Sequence, residues 1–385
     1  MAGFFIAGIQ SWYYHFNPAP EKEYNMDECR WRQYSKSERG IRMIRFDNDY
    51  IEGAHPKVLQ RLMETNEEQL PGYGKDEYTA AAKALIRRLC DEDVDVHFVM
   101  GGTQANLTII SSILRPHQGV IAPHTGHIAA DETGAIEATG HKVLEIGAVD
   151  GRIDAGQIAG YVENHWNSIE REHQSQPKLV YISQPTESGT LYSREELRAI
   201  RNVCDEKGLY LMVDGARLTY ALASEENDLT LADYADMCDV FYIGGTKAGI
   251  LFGEAIVISH ENIKEDFRYI IKQKGGMLAK GRLLSIQFGA LFEDDLYMEI
   301  AGHALKMAKL LNDAFVRNGI EMHFPSPTNQ IFPVLTTGQI EQLSEKYAFH
   351  VWEDVDESKK AVRFCTSWST KPEDVEALIE DINKL

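Results

Sequence analysis

The sequence predicts an α/β protein with a mostly parallel central sheet and a smaller α+β domain at its C-terminal end. The first observation is that short apolar runs alternate with longer amphipathic segments from about residue 93 to residue 258. Strands that alternate with helices form parallel sheets through right-handed crossovers. The second is a change after about residue 297 to closely spaced apolar runs and one final helix, a pattern typical of a small α+β domain.

We divide the 385 residues into three parts, because a chain of this length is long for one domain. Residues 1–40 mix aromatic and charged residues without a period, and we predict an extension of unassigned role. Residues 41–296 form the predicted large domain, whose regular alternation begins near His55. Residues 297–385 form the predicted small domain.

Composition excludes several classes of function. Hydrophobic and charged fractions of 44% and 25% are those of an ordinary globular enzyme. The net charge of −20 repels nucleic acid and anionic lipid, so we predict neither as a partner. The five cysteines are scattered without a CxxC pair, so we predict no metal site and no disulfide framework. Without a membrane-spanning apolar run or a basic signal-peptide start, the chain is predicted to be cytoplasmic.

The first predicted elements precede the sheet. IRFDNDYIEG reads as an extended piece, and HPKVLQRLMETN opens a helix with Pro56 in its first turn. The glycine-containing loop QLPGYGKDEY then leads into a helix around TAAAKALIRRLC.

Four strand and helix pairs follow in order. VDVHFVM precedes the helix GGTQANLTIISSIL, GVIAP precedes the helical segment HIAADETGAIEATG, KVLEIG precedes a helix over Ile158–Glu172, and LVYIS precedes REELRAIRNVCDEKG. After two further strands described below, EAIVIS is a strand, and residues 261–317 are mostly helical with a break at KQKGGMLAKGR. The runs QIFPVL, AFHVW and AVRFCTS and a helix from Pro372 complete the chain.

Two of the apolar runs end in charged residues. LYLMVDGAR closes on Asp214 and Arg217, and CDVFYIGGTKAG closes on Lys247. If these runs are neighbouring parallel strands, all three side chains meet at the edge where open α/β sheets bind ligands. A lysine can hold an aldehyde cofactor as a Schiff base, and a carboxylate can keep a pyridine ring protonated, which points to pyridoxal phosphate. The alternative is that Asp214 and Lys247 are ordinary solvent-facing residues.

Three other motifs fit the same chemistry. GGTQAN lies between a strand and a helix, where its glycines and the free amides of the helix start can bind a phosphate group. The alternative is that the motif is only a capped helix start. His124 and His127 follow a buried strand, where an imidazole could stack on the flat ring of a cofactor. The alternative is that both histidines have only a structural role. Arg363 in KKAVRFCTS could bind a substrate carboxylate through two parallel hydrogen bonds. The alternative is that it is an ordinary arginine at the edge of a sheet.

The order of these parts resembles that of fold type I pyridoxal phosphate enzymes. Within them, the chain resembles the L-threonine aldolase family, which is grouped with the β-eliminating lyases. The resemblance covers residues 44–385 and is carried by FDNDY, GGTQAN, the H-x4-E-x-GA pattern that starts at His127, VDGAR and GGTKAG. It implies a fold type I transferase-like architecture for the large domain.

The resemblance also implies roles for the cofactor site. Lys247 would bind the cofactor covalently, Asp214 would pair with the pyridine nitrogen, and His127 would stack on the ring. The phosphate loop corresponds to three residues in GGTQAN, namely Gly102, Thr103 and Gln104.

For the substrate, the resemblance implies that Arg217 contacts the cofactor ring hydroxyl and the substrate carboxylate, and that Arg363 supplies a second carboxylate contact. Asn48 stands where the family often has Ser. The family commonly reads ENTHNG after the LVYIS-type strand, whereas this chain reads QPTESG with Glu187 in place of a histidine. The base for the β-hydroxyl proton therefore stays open between Glu187, His127 and a bound water.

The implied activity is aldol cleavage of L-threonine or a related β-hydroxy-α-amino acid to glycine and an aldehyde. A β-eliminating lyase or an aminotransferase would use the same lysine and acid, and a catalytically silent relative acting as a binding protein is the alternative from another class. The resemblance further implies a homodimer or homotetramer, in which a neighbouring subunit completes each site.

Overall fold

The computed structural model describes residues 43–90 and 93–385, and residues 44–385 form one compact unit. The predicted extension over residues 1–40 lies outside the described residues. Within the described ranges, no helix combines the length and the apolar character needed to cross a membrane. The strands are β1 (Ile44–Arg45), β2 (Asp95–Val99), β3 (Gln118–Pro123), β4 (Lys142–Ile146), β5 (Gln176–Ser183), β6 (Tyr210–Asp214), β7 (Val240–Gly244), β8 (Glu254–Ile258), β9 (Gln330–Ile331), β10 (Val334–Thr336), β11 (Tyr347–Ala348), β12 (His350–Asp354) and β13 (Lys359–Cys365).

The helices lie between and after these strands, and most were predicted within a few residues. They are α1 (Pro56–Glu64), α2 (Glu77–Cys90), α3 (Gly102–Ile113), α4 (His127–Ala130), α5 (Ala155–Asn167), α6 (Arg194–Lys207), α7 (Leu218–Leu222), α8 (Leu231–Met237), α9 (Glu261–Lys264), α10 (Phe267–Gln273), α11 (Arg282–Phe292), α12 (Leu296–Arg317), α13 (Thr337–Ser344) and α14 (Pro372–Ile382).

The large sheet has seven strands in the order β2-β8-β7-β6-β5-β3-β4. The neighbours from β4 to β7 all pair in parallel, and only β8 runs antiparallel, to both β7 and β2. Strands β6, β7 and β8 are almost wholly buried, since apolar clusters cover both faces of the sheet. The predicted α/β class and mostly parallel sheet are confirmed.

The C-terminal part forms a second core around a small antiparallel sheet. Strand β13 pairs with β10, β12 and β9. Phe364 of β13 stacks near Phe315, Phe349 and Phe46 in this core. Phe46 comes from the beginning of the described chain, where β1 pairs with β11. The segment before α1 is therefore anchored in the C-terminal core, while the predicted domain boundary at residues 296 and 297 stays a prediction.

Two predicted helical segments are shorter in the structure. The segment HIAADETGAIEATG is helical only over α4 and a 3₁₀ turn at Glu137–Thr139, because left-handed backbone at Thr133, Gly134 and Gly140 interrupts it. The helix predicted over Ile158–Glu172 runs instead from Ala155 to Asn167. Asp154 and Gln157 form a capping box that starts it earlier, and Ser168 in extended conformation ends it.

A buried ion pair holds the amino-terminal ends of the two central strands. Arg201 Nη1 of α6 donates to Asp239 Oδ2 at 2.7 Å, and both side chains are about 10% exposed. The same oxygen accepts from the Leu211 amide of β6 at 2.6 Å. Asp239 directly precedes β7, so one carboxylate joins α6, β6 and β7 at the sheet edge opposite the charged strand ends.

We expect Asp239→Ala to lower the free energy of unfolding by about 3–5 kcal/mol, because it removes the buried counter-charge of Arg201 and leaves that guanidinium only the solvent-exposed Asp205. Denaturant titration followed by circular dichroism measures this. The matched control is Asp236→Ala, which removes the exposed pair with Arg198 and should cost less than about 1 kcal/mol. Equal losses in both variants would contradict the structural role of the buried pair.

Candidate active site

The predicted charged residues meet at the carboxyl edge of β5, β6 and β7. Asp214 ends β6 opposite Ser183 of β5, and Lys247 follows β7. The turn after β6 packs so closely on β7 that a Cβ on Gly215 would lie 1.9 Å from the Tyr242 carbonyl oxygen. Only glycine permits this approach, which brings Asp214 and Lys247 together.

Asp214 is 5% exposed, and both of its carboxylate oxygens are satisfied by fixed donors. Oδ2 accepts from the Tyr181 hydroxyl at 2.6 Å and from Asn106 Nδ2 at 3.2 Å. Oδ1 accepts from the Ala216 amide at 3.0 Å. These donors fix the orientation of the carboxylate at the end of β6.

His127 is the first residue of α4, and its ring is tied to Asp214 through two other side chains. His127 Nδ1 lies 2.9 Å from Oε1 of the buried Glu132. Asn106 Nδ2 donates to that Glu132 oxygen at 2.7 Å as well as to Asp214. The hydrogen bond to Glu132 raises the pKa of His127, while burial opposes the rise. The ring is 39% exposed, so its face is accessible.

Glu187 completes this arrangement. Its Oε1 accepts from the His127 amide at 3.0 Å and from Ser183 Oγ at 2.7 Å, and Ser183 Oγ also lies 3.2 Å from the Tyr181 hydroxyl. The hydrogen bonds close a ring whose members are Asp214, Tyr181, Ser183, Glu187, His127, Glu132 and Asn106.

The electrostatic state of Glu187 follows from its surroundings. Burial raises the pKa of its carboxyl, the Ser183 hydroxyl opposes the rise, and the Asp214 charge adds to it. Its second oxygen, Oε2, is buried and has no hydrogen-bond partner among the described residues. Thus Oε1 of Glu187 holds the His127 amide and Ser183, whereas Oε2 remains without a hydrogen-bond partner among the described residues.

The turn that contains Glu187 is held by other residues. The Thr186 amide donates to the Thr190 carbonyl at 2.9 Å, the two threonine hydroxyls lie 2.7 Å apart, and the Gly189 amide donates to the Thr186 carbonyl. No hydrogen bond of the turn uses the Glu187 side chain as a helix or turn cap. The carboxylate instead points to the His127 amide and Ser183.

The Lys247 amine has no hydrogen-bond or ion-pair partner among the described residues, although it lies 5.9 Å from the ring centre of Tyr50. Burial lowers its pKa and the positive charge of Arg217 lowers it further, while Asp49, Asp214 and Glu254 oppose the change. A lowered pKa favours the neutral amine, which is the nucleophilic form.

Glu254 supports the loop that carries the lysine. Its carboxylate accepts from Thr246 Oγ1 at 2.9 Å and from the Gly245 amide at 3.1 Å, which are the two residues before Lys247. Burial raises the pKa of Glu254 to about 8. Through these two hydrogen bonds, Glu254 holds the loop that carries the Lys247 amine.

Arg217 is bound by an acid that sequence reasoning did not select. Its Nε and Nη2 donate to the two oxygens of Asp49 at 2.7 and 3.0 Å. Asn329 Nδ2 also donates to Asp49, at 2.9 Å. Asp49 uses the Nε hydrogen and one Nη2 hydrogen of Arg217, so both Nη1 hydrogens and the second Nη2 hydrogen remain for the predicted contact with a ring hydroxyl or a substrate carboxylate.

Arg363 and Asn48 are brought into direct contact. Arg363 Nη2 donates to Asn48 Oδ1 at 3.1 Å and to the Asp47 carbonyl at 3.2 Å. The guanidinium lies 5.2 Å from the ring centre of Trp352. Its Nε is buried without a partner, so a donor remains for a carboxylate.

The GGTQAN motif opens α3, and no side chain caps its first amides. Thr103 is exposed there, and Gly102 is half-buried. Gln104 is the third residue of the motif, and its predicted contact with the phosphate stays a prediction. Its side chain accepts from the Met100 amide at 3.1 Å and donates to the Lys274 carbonyl at 3.2 Å, so it ties this loop to the segment after α10.

Seven residues of the hydrogen-bonded site were not selected from the sequence. Six of them lie inside or beside segments that were recognised, but their residue types are too common to single them out. They are Asp49 in FDNDY, Asn106 in GGTQAN, Glu132 in the histidine motif, Tyr181 and Ser183 in the strand LVYIS, and Glu254 after the lysine loop, and the seventh is Asn329, which has no sequence signal.

Comparisons with known proteins agree with this geometry. The family model of the beta-eliminating lyases matches residues 52–337. A low-specificity L-threonine aldolase of Pseudomonas aeruginosa is 32% identical, over 88% of this chain and 96% of that protein. A low-specificity L-threonine aldolase of Saccharomyces cerevisiae is 22% identical, over 68% of this chain and 66% of that protein.

Solved structures give the same result. A threonine aldolase of Leishmania major superposes with a TM-score of 0.86 and 45% identity, over 89% of this chain and 99% of that chain. An aspartate aminotransferase of Thermus thermophilus superposes with a TM-score of 0.66 at 16% identity, over 90% of this chain and 92% of that chain. This similarity shows a shared fold. The chain therefore has the fold type I architecture and belongs to the beta-eliminating lyase family, together with the low-specificity L-threonine aldolases.

Proposed function

We propose that this protein uses pyridoxal phosphate to cleave L-threonine or a related β-hydroxy-α-amino acid to glycine and an aldehyde. The observation that carries the proposal is the unpaired Lys247 amine beside the buried Asp214 carboxylate, at the ends of neighbouring parallel strands. The relatives named threonine aldolases support the choice of substrate.

The residues present fit the cofactor. Lys247 supplies an amine with a lowered pKa, Asp214 a fixed carboxylate for the pyridine nitrogen, and His127 an accessible ring for stacking. The uncapped amides at Gly102 and Thr103 suit its phosphate. When bound, pyridoxal phosphate supplies an electron sink for the pair released by the breaking bond.

Arg363 is the better placed of the two predicted arginines for the substrate carboxylate. Its Nε is unpaired, and Asn48 and Trp352 hold the guanidinium in place. Arg217 contributes through its remaining Nη hydrogens, with its orientation fixed by Asp49. Holding the carboxylate orients the bond between Cα and Cβ, and orientation of this kind lowers the reaction barrier by several kcal/mol.

We assign the base for the β-hydroxyl proton to Glu187. His127 is a poor proton acceptor in this arrangement, because the Glu132 hydrogen bond raises its pKa and favours the protonated ring. Glu187 has a free oxygen and a raised pKa, and both properties suit a general base near neutral pH.

A β-eliminating lyase or an aminotransferase would remove a proton from Cα instead, and a silent relative would do no chemistry. We expect the purified protein with L-threonine to form glycine and acetaldehyde in equal amounts, measured by amino-acid analysis and an alcohol dehydrogenase assay. Lys247→Ala should abolish this turnover and the visible absorption of bound cofactor, with an unchanged circular dichroism spectrum. Pyruvate and ammonia as products, or full activity of Lys247→Ala, would refute the proposal.

A homodimer or homotetramer is the assembly we propose. Large apolar side chains next to site residues are exposed, including Tyr50 at 52%, Leu251 at 41% and Phe252 at 39%. Burial of these side chains against a second copy would remove apolar surface from water beside the site. Light scattering coupled to size exclusion should give at least two copies per particle, and an active monomer would contradict this.

Glu187→Gln should lower kcat about 10²-fold or more, because the amide cannot accept the β-hydroxyl proton. The variant should keep the cofactor absorption, since Gln can still accept from the His127 amide and Ser183. In the wild-type protein, kcat/KM should fall as pH drops through the raised pKa of Glu187, above the ordinary value of 4.5, and this acid limb should be lost in the variant.

The matched control is Glu145→Gln, which changes an exposed acid on β4. It should retain wild-type kcat and the wild-type pH profile. If Glu187→Gln keeps the acid limb and near-normal kcat, Glu187 is not the base.

A further inference from the structure

A small cavity lies beside β2, apart from the lysine and its surrounding acids. Its volume is about 40 Å³, and it is lined by residues of α2, β2 and α10 and by the loops at residues 73–74 and 276–281. A single water needs about 10–15 Å³, so the cavity has room for a group larger than one water. None of the residues assigned to catalysis lines it.

Three basic side chains converge on this cavity from three elements. They are Lys83 of α2, His97 of β2 and Arg268 of α10. The amine of Lys83 has no hydrogen-bond or ion-pair partner within the described part of the chain. Arg268 Nη2 donates to the Tyr73 carbonyl at 3.1 Å and lies 3.8 Å from Met277 Sδ, so it makes no ion pair there either.

His97 is only 6% exposed, and its Nε2 is buried without a hydrogen-bond partner. The nearest acid, Asp95, has its Oδ2 at 4.0 Å and is already paired with Arg87 at 3.3 Å. A buried polar atom without a partner is costly, so it indicates that a polar group able to form a hydrogen bond with it belongs in the cavity.

The pKa values of Lys83 and His97 are both lowered beside this cavity. Burial lowers the pKa of Lys83 to about 8, and the charge of Arg268 contributes. Burial lowers the pKa of His97 to about 3, and Lys83 and Arg268 add to the effect. The charge of Asp95 opposes the change at Lys83 only in part. Lys83 and Arg268 are two cations without an ion-pair partner among the described residues, and an anion that enters the cavity between them would stabilise both.

We propose that Lys83, His97 and Arg268 form a binding site for a small inorganic oxyanion such as phosphate or sulfate. Four oxygens on one small centre match both the size of the cavity and its convergent donors. The site is separate from the predicted cofactor phosphate loop. It connects to that loop indirectly, because Gly276 lines the cavity and a Cβ on it would lie 3.1 Å from Gln104 Oε1.

The test measures thermal unfolding of the protein saturated with pyridoxal phosphate, so that its cofactor site does not compete for the anion. Inorganic phosphate is titrated through the millimolar range, with sodium chloride adjusted to keep ionic strength constant. We expect Tm to rise and saturate, because an anion that binds only the folded chain stabilises it. Sodium chloride alone should give no saturating rise.

Lys83→Gln should raise the half-saturating phosphate concentration about tenfold or more, since it removes a charged donor. It should also raise Tm in phosphate-free buffer, because an uncompensated buried charge is gone. Lys83→Arg, which keeps the charge, should retain the phosphate response. The matched control, Lys309→Gln on the exposed face of α12, should respond as wild type.

A flat wild-type response, an equal rise with chloride, or an unchanged response in Lys83→Gln would each overturn the site. These outcomes do not depend on aldolase activity. Failure of this proposal and failure of the proposed function are therefore distinguishable.

Discussion

The site around Lys247 depends on a hydrogen-bonded ring that joins three acids, Asp214, Glu132 and Glu187. At Asp214, a hydroxyl, a side-chain amide and a backbone amide together donate to both carboxylate oxygens. Glu132 and Glu187 each keep one oxygen without a hydrogen-bond partner among the described residues. Desolvation and the nearby Asp214 charge raise the pKa of Glu187, which is the property that the proposed base needs.

The positive side of the site is balanced by a segment that joins the two cores. Phe46 packs in the C-terminal core, Asn48 accepts from Arg363, and Asp49 binds Arg217. Asp49 also accepts from Asn329, which lies just before β9. Four consecutive residues thus place both arginines relative to the lysine. Displacement of this segment would disturb the substrate contacts while leaving the large sheet intact.

The sequence predicted the sheet and its charged edge well, because buried parallel strands are read as continuous apolar runs and the charged residues follow them directly. For this reason the sequence could place Lys247, Asp214 and His127 at that edge, and their roles stay predictions. Asn329 could not be selected, since its contact is with Asp49, which is 280 residues away in the chain. The phosphate contact of Gln104 also stays a prediction, and the structure adds that its side-chain amide binds the segment after α10. Position in a motif predicted the region, whereas the direction of the side chain depended on tertiary contacts.

The replacement of the family histidine by Glu187 is tied to the rest of the hydrogen-bonded ring. Oε1 of Glu187 accepts from the His127 amide, so the same side chain that offers a free oxygen also fixes the first residue of α4. The position of the ring that would stack on the cofactor and the position of the proposed base are consequently set by one carboxylate. A histidine at 187 could accept with only one nitrogen at a time. It could not serve the His127 amide and Ser183 while keeping a second acceptor free, and this makes glutamate chemically suited to a site built in this way.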